Sequence, residues 1–372
     1  MPTVKKTIVI SAINLFEGGP FSILDDCIRE LVHDRYEYNI KILVHSIKLV
    51  EHYQSSNIEF VQFPKSRKSY VNRLFYEFFY FYKLSKKWDV YLWLSLHDVS
   101  PFVKAEKQAV YCHNASIFRD VYFRDIYLQP TLFFFSLLYK YIYKINIKAN
   151  KYLITQSSWM RDAFSDLFSI SKERIIVAKP TTTIVPANIK EAFKYGKNKT
   201  FFFPAFPRPF KNFEVIGDAC AILYENKITN FEVYITLDGS ENIYSKLIYN
   251  KYKHLPNINF LGLLSREEVF KVYKECDVLI FPSTLESWGL PISEFKDFNK
   301  PILLVDLPYA HETLGYYQKV NFFDANNPKI LADLMRKHIN NDITFDGNKD
   351  LNILSPFASN WKELFQILLQ DK

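Results

Sequence analysis

Short apolar runs alternate with helix-length amphipathic segments along almost the whole chain. Eleven runs have this character: KTIVISAI (6–13), NIKILVHS (39–46), VYLWLSL (90–96), QAVYCH (108–113), KYLITQS (151–157), RIIVAK (174–179), TFFFPAF (200–206), FEVYITL (231–237), INFLG (258–262), DVLIFPS (277–283) and PILLVD (301–306). Runs that are apolar on both faces are typical of parallel strands covered by helices on both sides. The pattern therefore predicts a doubly wound α/β architecture.

The length of the chain and one irregular segment predict two domains. A chain of 372 residues exceeds what one hydrophobic core usually serves. Residues 180–199 break the alternation with two prolines, a threonine cluster and a glycine, which indicates an interdomain linker. We expect Rossmann-like domains over 1–190 and 191–354, facing each other across a cleft. Residues 355–372 should form a helix that packs back on the first domain through Trp361, Leu364, Phe365 and Leu368.

Composition narrows the class of protein. The four cysteines, Cys27, Cys112, Cys220 and Cys276, are widely spaced, which argues against a disulfide framework and against a metal site and favours the cytoplasm. The first apolar run leads into a glycine turn and is interpreted as a strand, not as a signal peptide. Because no apolar run reaches about 20 residues, we expect no membrane-spanning helix.

The stretch FPSTLESWGLPISE, residues 281–294, combines the end of a strand with a loop and the start of a helix. Pro291 occupies a favoured first-turn position. Backbone N–H groups and the dipole at a helix start attract phosphate. A glutamate in the first turn is ordinary compensation of that dipole and would explain Glu294 alone, whereas Glu286 lies ahead of the helix.

With FPS before Glu286, GLP before Glu294 and KP before the next strand, this segment resembles glycosyltransferase family 4, the retaining nucleotide-sugar transferases of the GT-B fold. The resemblance implies that Glu294 holds the ribose hydroxyls of the donor and that Glu286 contacts its sugar. It also implies front-face attack, in which the departing phosphate deprotonates the acceptor hydroxyl. The donor-binding residues of this segment would be Ser283, Glu286, Gly289, Leu290, Pro291 and Glu294.

Two cations follow the strand that opens the second domain, in the stretch FFFPAFPRPFKNF. Fixed positive charges at this place can stabilise the charge that develops on a leaving diphosphate without a metal ion. The resemblance assigns that role to Arg208 and Lys211. A solvated basic turn is the alternative interpretation.

Other candidates lie after predicted strands. By the resemblance, Gly262 and Leu263 contact the nucleotide base, although Asp238 departs from the glycine-rich turn more common nearby. Gly18 and Gly19 permit close backbone approach to donor phosphates, although an ordinary tight turn explains them as well. Because they do not form a G-x-G-x-x-G fingerprint, nicotinamide binding is not favoured.

Two histidines follow strand ends in the first half. His113, in YCHN, matches the position that lies near donor sugar and acceptor in the family, and we expect it to orient substrate. His97 is the weaker candidate because histidines are more often structural hydrogen-bonding groups.

Aromatic and basic residues are interleaved in YVNRLFYEFFYFYKLSKKW (70–88) and QPTLFFFSLLYKYIYKINIK (129–148). Aromatic residues make up 17% of the chain and the net charge is +7. Such helices suit either a protein core or the surface of an anionic membrane. Nucleic-acid binding is not favoured, since no recognition motif accompanies them.

The prediction is a metal-independent, retaining hexosyltransferase that moves a sugar from a UDP- or GDP-sugar, without a further cofactor, to a lipid-linked or surface polysaccharide. The resemblance favours an O-antigen, capsule or lipopolysaccharide context, with an acceptor carried on polyprenyl diphosphate and the enzyme peripheral on the inner face of the cell membrane. The alternatives are a phosphorylase or epimerase of the same architecture, and a non-catalytic binding protein at the membrane surface.

Overall fold

A computed structural model describes residues 5–34, 36–53, 57–181 and 198–370. Most of the predicted linker, 182–197, lies outside the described residues. The chain divides into two compact units. The first comprises Met1–Ile117, Leu138–Thr181 and Ile353–Lys372, and the second comprises Phe118–Leu137 and Thr182–Asn352.

Within the described residues, the first unit contains an eight-stranded parallel sheet. Its strands are β1 (Thr7–Ala12), β2 (Asn39–Val44), β3 (Ile58–Gln62), β4 (Val90–Ser95), β5 (Ala105–Cys112), β6 (Tyr152–Thr155), β7 (Ile175–Ala178) and β14 (Phe357–Ala358). Their spatial order is β14-β7-β6-β5-β4-β1-β2-β3, so the direction of winding reverses between β1 and β4.

Helices surround this sheet. They are α1 (Gly18–His33), α2 (Tyr70–Phe75), α3 (Phe81–Trp88), the C-terminal part of α5 (Pro130–Asn146), α6 (Ser158–Phe168) and α13 (Trp361–Leu369). A π-helical turn, Tyr76–Tyr80, joins α2 to α3. The strands β1 and β4 are buried along their whole length, as expected for a sheet covered on both faces.

The C-terminal helix α13 belongs to the first unit. Asn360 caps it by accepting a hydrogen bond from the Glu363 amide at 2.9 Å. Its buried residues are Trp361, Leu364, Phe365 and Leu368, which join α1 and the central strands in one apolar cluster.

The second unit contains a six-stranded parallel sheet among its described residues. The strands are β8 (Lys199–Phe203), β9 (Phe231–Ile235), β10 (Ile258–Phe260), β11 (Val278–Phe281), β12 (Ile302–Val305) and β13 (Val320–Phe323). The helices are α4 (Arg124–Leu128), the N-terminal part of α5, α7 (Phe213–Glu225), α8 (Ile243–Tyr252), α9 (Arg266–Glu275), α10 (Leu290–Lys296), α11 (Pro308–Leu314) and α12 (Pro328–Ile339).

The strand order β10-β9-β8-β11-β12-β13 reverses between β8 and β11. The two parallel sheets confirm the predicted α/β, doubly wound architecture, and each contains one reversal point. Ligands of such sheets bind beyond the carboxyl ends of the strands at the reversal point. In the second unit, this rule selects the loops after β8 and β11.

No helix in the described part of the chain combines the length and the apolar composition that crossing a bilayer requires.

Candidate functional site

The loops after β8 and β11 hold the predicted cations and the first predicted glutamate. Arg208 and Lys211 lie between β8 and α7, and Glu286 lies between β11 and α10. Although Lys211 and Glu286 are 75 residues apart in sequence, the Lys211 ammonium donates a hydrogen bond to the Glu286 carboxylate. Both side chains are mostly buried. The two adjacent strands thus place a cation and a carboxylate together where the sheet order reverses.

Hydrogen bonds fix these two loops to each other. The Phe210 carbonyl accepts from the Thr284 amide at 2.7 Å and from the Ser283 hydroxyl at 3.3 Å. The Tyr309 hydroxyl donates to the Ser283 carbonyl at 2.5 Å. Ser283 is completely buried and serves as a support of the loop. These hydrogen bonds hold the backbone of the loops that carry Lys211 and Glu286 in a preformed geometry.

The segment carrying Arg208 is also anchored. The Pro207 carbonyl accepts hydrogen bonds from the Asn242 side chain at 2.9 Å and from the Gln129 side chain at 3.1 Å. Arg208 itself is solvent-exposed, and partial desolvation lowers the pKa of its guanidinium while the charge of Glu286 raises it. Because arginine titrates far above neutral pH, the side chain remains a cation that is aimed at solvent from a fixed backbone.

The helix start after Gly289 is less suited to phosphate than the sequence suggests. Gly289 adopts φ +94° and precedes α10, which has only seven residues, so its dipole is short. Pro291 has no N–H, and the Ile292 amide already donates to the Gly289 carbonyl at 2.9 Å. This turn therefore offers few backbone donors to an anion, whereas the side chains of Arg208 and Lys211 carry full positive charges.

Glu294 lies one turn into α10, where Arg266 and Tyr273 are its side-chain partners. Glu294 is 6% exposed. Arg266 donates to one carboxylate oxygen at 2.7 Å, and the Tyr273 hydroxyl lies 3.5 Å from the other. Burial raises the pKa of Glu294, while Arg266 and Tyr273 lower it.

Sequence reasoning missed Arg266 and Tyr273 as partners of Glu294. The sequence does indicate where α9 begins, since Ser265 and Glu268 form a capping box that places Arg266 in the first turn of this helix. The tertiary contact between α9 and α10, however, has no signature in the local pattern.

Gly262 and Leu263 follow β10, two strands away from β8. Gly262 has φ +69°, and a Cβ there would lie 3.1 Å from the Asp238 carboxylate. Asp238 accepts a hydrogen bond from the Ser240 amide at 2.8 Å, which fixes the turn after β9. Leu263 is exposed and presents an apolar surface beside this turn.

In the first unit, Gly18 and Gly19 open α1, after β1. Gly18 has φ +65°, which favours glycine, and a Cβ on Gly19 would meet no atom within 4 Å. Both residues are exposed. This helix start is therefore open to solvent at the reversal point of the first sheet.

His113 follows β5 and pairs with Asp98, which follows β4. The His113 Nε2 atom lies 3.5 Å from the Asp98 carboxylate, whose other oxygen accepts from the His113 amide at 2.9 Å. Asp98 is held at φ +70°. Among the described residues, the buried His113 Nδ1 atom has no hydrogen-bond partner.

His97 is a buried structural residue. Its ring contacts the Ser11 hydroxyl at 3.1 Å and Arg73 at 3.2 Å, and its Nδ1 atom is 3.3 Å from Glu77. Burial lowers the pKa of His97 far below its ordinary value, so the ring is neutral at physiological pH.

The described residues contain no cluster of three or more His, Cys, Asp or Glu side chains suited to a metal ion. The chemistry of the donor set in the second unit, two cations beside one carboxylate, is that of an anion site.

Comparisons with known proteins were made for the sequence and for the fold. Residues 185–353 match the family model of glycosyl transferases group 1. A curated relative is the O-antigen chain mannosyltransferase RfbU of Salmonella typhimurium, which is 22% identical over 237 residues. That match covers 61% of this chain and 64% of the relative, a little under two thirds of its length.

Solved structures resemble the chain over nearly its whole length. The lipopolysaccharide glycosyltransferase WaaG has a TM-score of 0.62 at 15% identity and covers 90% of each chain. Anabaena HepE, solved with UDP and glucose, has a TM-score of 0.60 at 13% identity, with 91% of this chain and 90% of that chain covered. The chain therefore has the GT-B fold, and the part that matches the group 1 glycosyl transferases contains the loops after β8 and β11.

Proposed function

We propose that the protein is a retaining glycosyltransferase, of the family 4 type, that moves a sugar from a nucleoside-diphosphate sugar to a hydroxyl of a glycan. The observation that carries the proposal is the convergence of Arg208, Lys211 and Glu286 on two hydrogen-bonded loops at the reversal point of the second sheet. The family match over 185–353 and the GT-B fold support it.

Arg208 and Lys211 would bind the donor diphosphate. When the bond between sugar and diphosphate breaks, negative charge develops on the departing oxygen, and cations already in place stabilise it with no reorganisation. Lys211 has three donors, so it can keep its bond to Glu286 while donating to a phosphate. This arrangement is the basis for proposing transfer without a metal ion.

Glu286 and Glu294 would bind the two sugar rings of the donor. Glu286, held by Lys211, would accept from hydroxyls of the transferred sugar. An ionised carboxylate offers about four acceptor positions. Arg266 and Tyr273 use one position on each oxygen of Glu294, which leaves capacity for both hydroxyls of a ribose. Gly262 and Leu263 would lie on the base.

The first unit would contribute to the acceptor and to the donor phosphates. His113 is oriented by Asp98, and its Nδ1 atom lacks a partner among the described residues, which suits a substrate-orienting role. Gly18 and Gly19 offer an open helix start for close approach. For retention we adopt front-face attack, in which the leaving phosphate takes the proton of the acceptor hydroxyl.

The acceptor would be a glycan of the lipopolysaccharide or O-antigen type, carried on a polyprenyl diphosphate, with the enzyme peripheral on the inner membrane face. The relative RfbU is named as an O-antigen chain mannosyltransferase, and WaaG is named for lipopolysaccharide biosynthesis. We propose a UDP- or GDP-hexose as donor.

The test is a transfer assay with purified protein, UDP- and GDP-hexoses, and a lipid-linked oligosaccharide acceptor. We expect a product extended by one sugar, with the anomeric configuration of the donor in its NMR spectrum, and loss of that product in Arg208→Ala. An isomerised donor without acceptor would indicate an epimerase, and a phosphate requirement would indicate a phosphorylase. Absence of nucleotide binding would favour a non-catalytic binding protein.

A further inference from the structure

The first unit contains a cavity of about 620 Å³ that the proposed transfer reaction does not use. Six aromatic side chains line it: Phe75, Phe78, Phe79, Tyr80, Tyr82 and Phe102. Lys83, Gln108 and Asn146 supply polar lining. The volume falls in the range of about 300–1,000 Å³ that is usual for sites enclosing a small molecule or part of a chain.

The helical segment α2, π-turn and α3 builds most of this wall and turns aromatic rings outward. Phe79 is 66% exposed and Phe75 is 53% exposed, and the two rings stack with centroids 6.1 Å apart. Phe78 packs against Phe102 on the other side, at 5.3 Å. Because large apolar patches are unusual on the surface of a soluble protein, this surface is expected to meet an apolar partner.

The helical segment that builds most of the cavity wall carries mainly positive charge. Between residues 65 and 87 the only acidic residue is Glu77, which is completely buried. The outward face of that stretch therefore presents the cations Lys83, Lys86 and Lys87, all exposed. The segment that supplies Asn146 to the lining also lacks acidic residues, because no Asp or Glu occurs between Asp125 and Asp162.

Further lysines lie beyond the rim of the cavity. Lys140, Lys144 and Lys148 lie on the segment that also supplies Asn146 to the lining. A single soluble phosphate could engage only a few of them, whereas an anionic bilayer presents many headgroups at once. Exposed aromatic rings beside lysines are the composition expected at headgroup depth.

We propose that this cavity receives an acyl chain of an anionic phospholipid, whose phosphate is held by Lys83 and its neighbouring lysines. The site thereby fixes the first unit to the membrane by one enclosed chain as well as by surface charge. This proposal requires neither donor nor acceptor, so its test is independent of the test for sugar transfer.

The experiment uses the full chain, with Phe79→Trp as a fluorescent probe, and vesicles of phosphatidylcholine with or without phosphatidylglycerol. Vesicles whose acyl chains are brominated should quench the fluorescence of this introduced indole when phosphatidylglycerol is present. The matched control is Tyr224→Trp, at a half-exposed tyrosine of the second unit, and its introduced indole should not be quenched. Unmodified protein, with its five tryptophans, provides the background.

Binding measurements separate the two parts of the site. Phe75→Ala with Phe79→Ala should weaken binding to anionic vesicles about tenfold or more, because two apolar side chains leave the lipid. Lys83→Gln, Lys86→Gln and Lys87→Gln together should weaken it by about a hundredfold at low salt. All five side chains are exposed, so circular dichroism of both variants should match the unmodified protein.

The proposal is overturned if, on vesicles that bind the protein, the Phe79→Trp probe is quenched no more than the Tyr224→Trp control. It is equally overturned if the phenylalanine variant binds anionic vesicles as tightly as the unmodified protein. Binding only to vesicles that contain polyprenyl phosphate, and not to phosphatidylglycerol vesicles, would reassign the cavity to the carrier lipid and reject the phospholipid.

Discussion

Replacing Glu294 by Gln isolates the role proposed for that carboxylate with little change in shape. Glu294 is 6% exposed, and its carboxylate accepts from Arg266 at 2.7 Å, which a glutamine oxygen can also do. The variant is therefore expected to fold. What it loses is the negative charge that would strengthen hydrogen bonds from the ribose hydroxyls.

The size of the effect follows from the number of hydroxyls. Hydrogen bonds to a charged group contribute about 1.5–3 kcal/mol, and the charge accounts for about half of that. Two ribose hydroxyls then lose about 1.5–3 kcal/mol in total, which corresponds to about a tenfold to hundredfold weaker Kd. Isothermal titration with UDP and GDP measures this change.

A second ligand makes the test specific. A 2′,3′-dideoxynucleoside diphosphate lacks both hydroxyls, so Glu294→Gln should leave its Kd nearly unchanged and erase most of the preference for the ribonucleotide. Glu267→Gln, at an exposed first-turn residue of α9, is the control and should behave like the unmodified protein. An unchanged ribonucleotide Kd, with the preference intact, would refute the assignment of Glu294.

Other expectations concern the cations, a buried carboxyl and the C-terminal helix. Arg208→Ala and Lys211→Ala should each reduce kcat about 10²- to 10³-fold in the transfer assay, and unchanged turnover in both would contradict the diphosphate site. Burial raises the pKa of Glu77 from 4.5 to about 8. The folded state then holds a proton that the unfolded chain lacks, so stability falls as pH rises from about 4.5 to 8. Glu77→Gln should show a smaller fall in Tm between pH 5 and 8, and parallel Tm curves would disprove the raised pKa. Leu364→Ala should lower the free energy of unfolding by about 2–5 kcal/mol in urea titrations, whereas Lys362→Ala, which is exposed, should have a small effect.

The strand pattern of the chain could be predicted from its sequence because buried parallel strands are apolar on both faces. Each of the eleven apolar runs overlaps an observed strand. The strands that the pattern missed are β3, β13 and β14. Two of them, β3 and β13, are short edge strands with polar residues such as Glu59 and Asn321, and β14 has two residues.

The candidate site could be located from the sequence only in part. Arg208, Lys211 and Glu286 follow apolar runs, so the position of each relative to its strand could be inferred. The pairing of Lys211 with Glu286 depends on β8 and β11 being neighbours, which is a property of the strand order. The partners of Glu294 depend on how α9 packs beside α10, and local pattern does not encode that contact.

The backbone at the start of α10 differs from what the sequence motif predicts. The motif GLP suggested a helix start well suited to phosphate, but a proline without an N–H and a helix of seven residues reduce what that start can offer. Arg208 and Lys211 are therefore the main groups that we propose to bind the diphosphate. The buried polar cluster around His97 could not be predicted from the sequence either, since its members come from β1, α2, the π-turn and the loop after β4.

The central claim is that Arg208 and Lys211 bind the diphosphate of a nucleotide donor. A crystal structure of the protein with bound UDP or GDP tests it most directly. The account predicts phosphate oxygens within about 2.7–2.9 Å of the Arg208 and Lys211 nitrogens, with the ribose at Glu294. Phosphates bound elsewhere, with neither Arg208 nor Lys211 in contact with them, would contradict it.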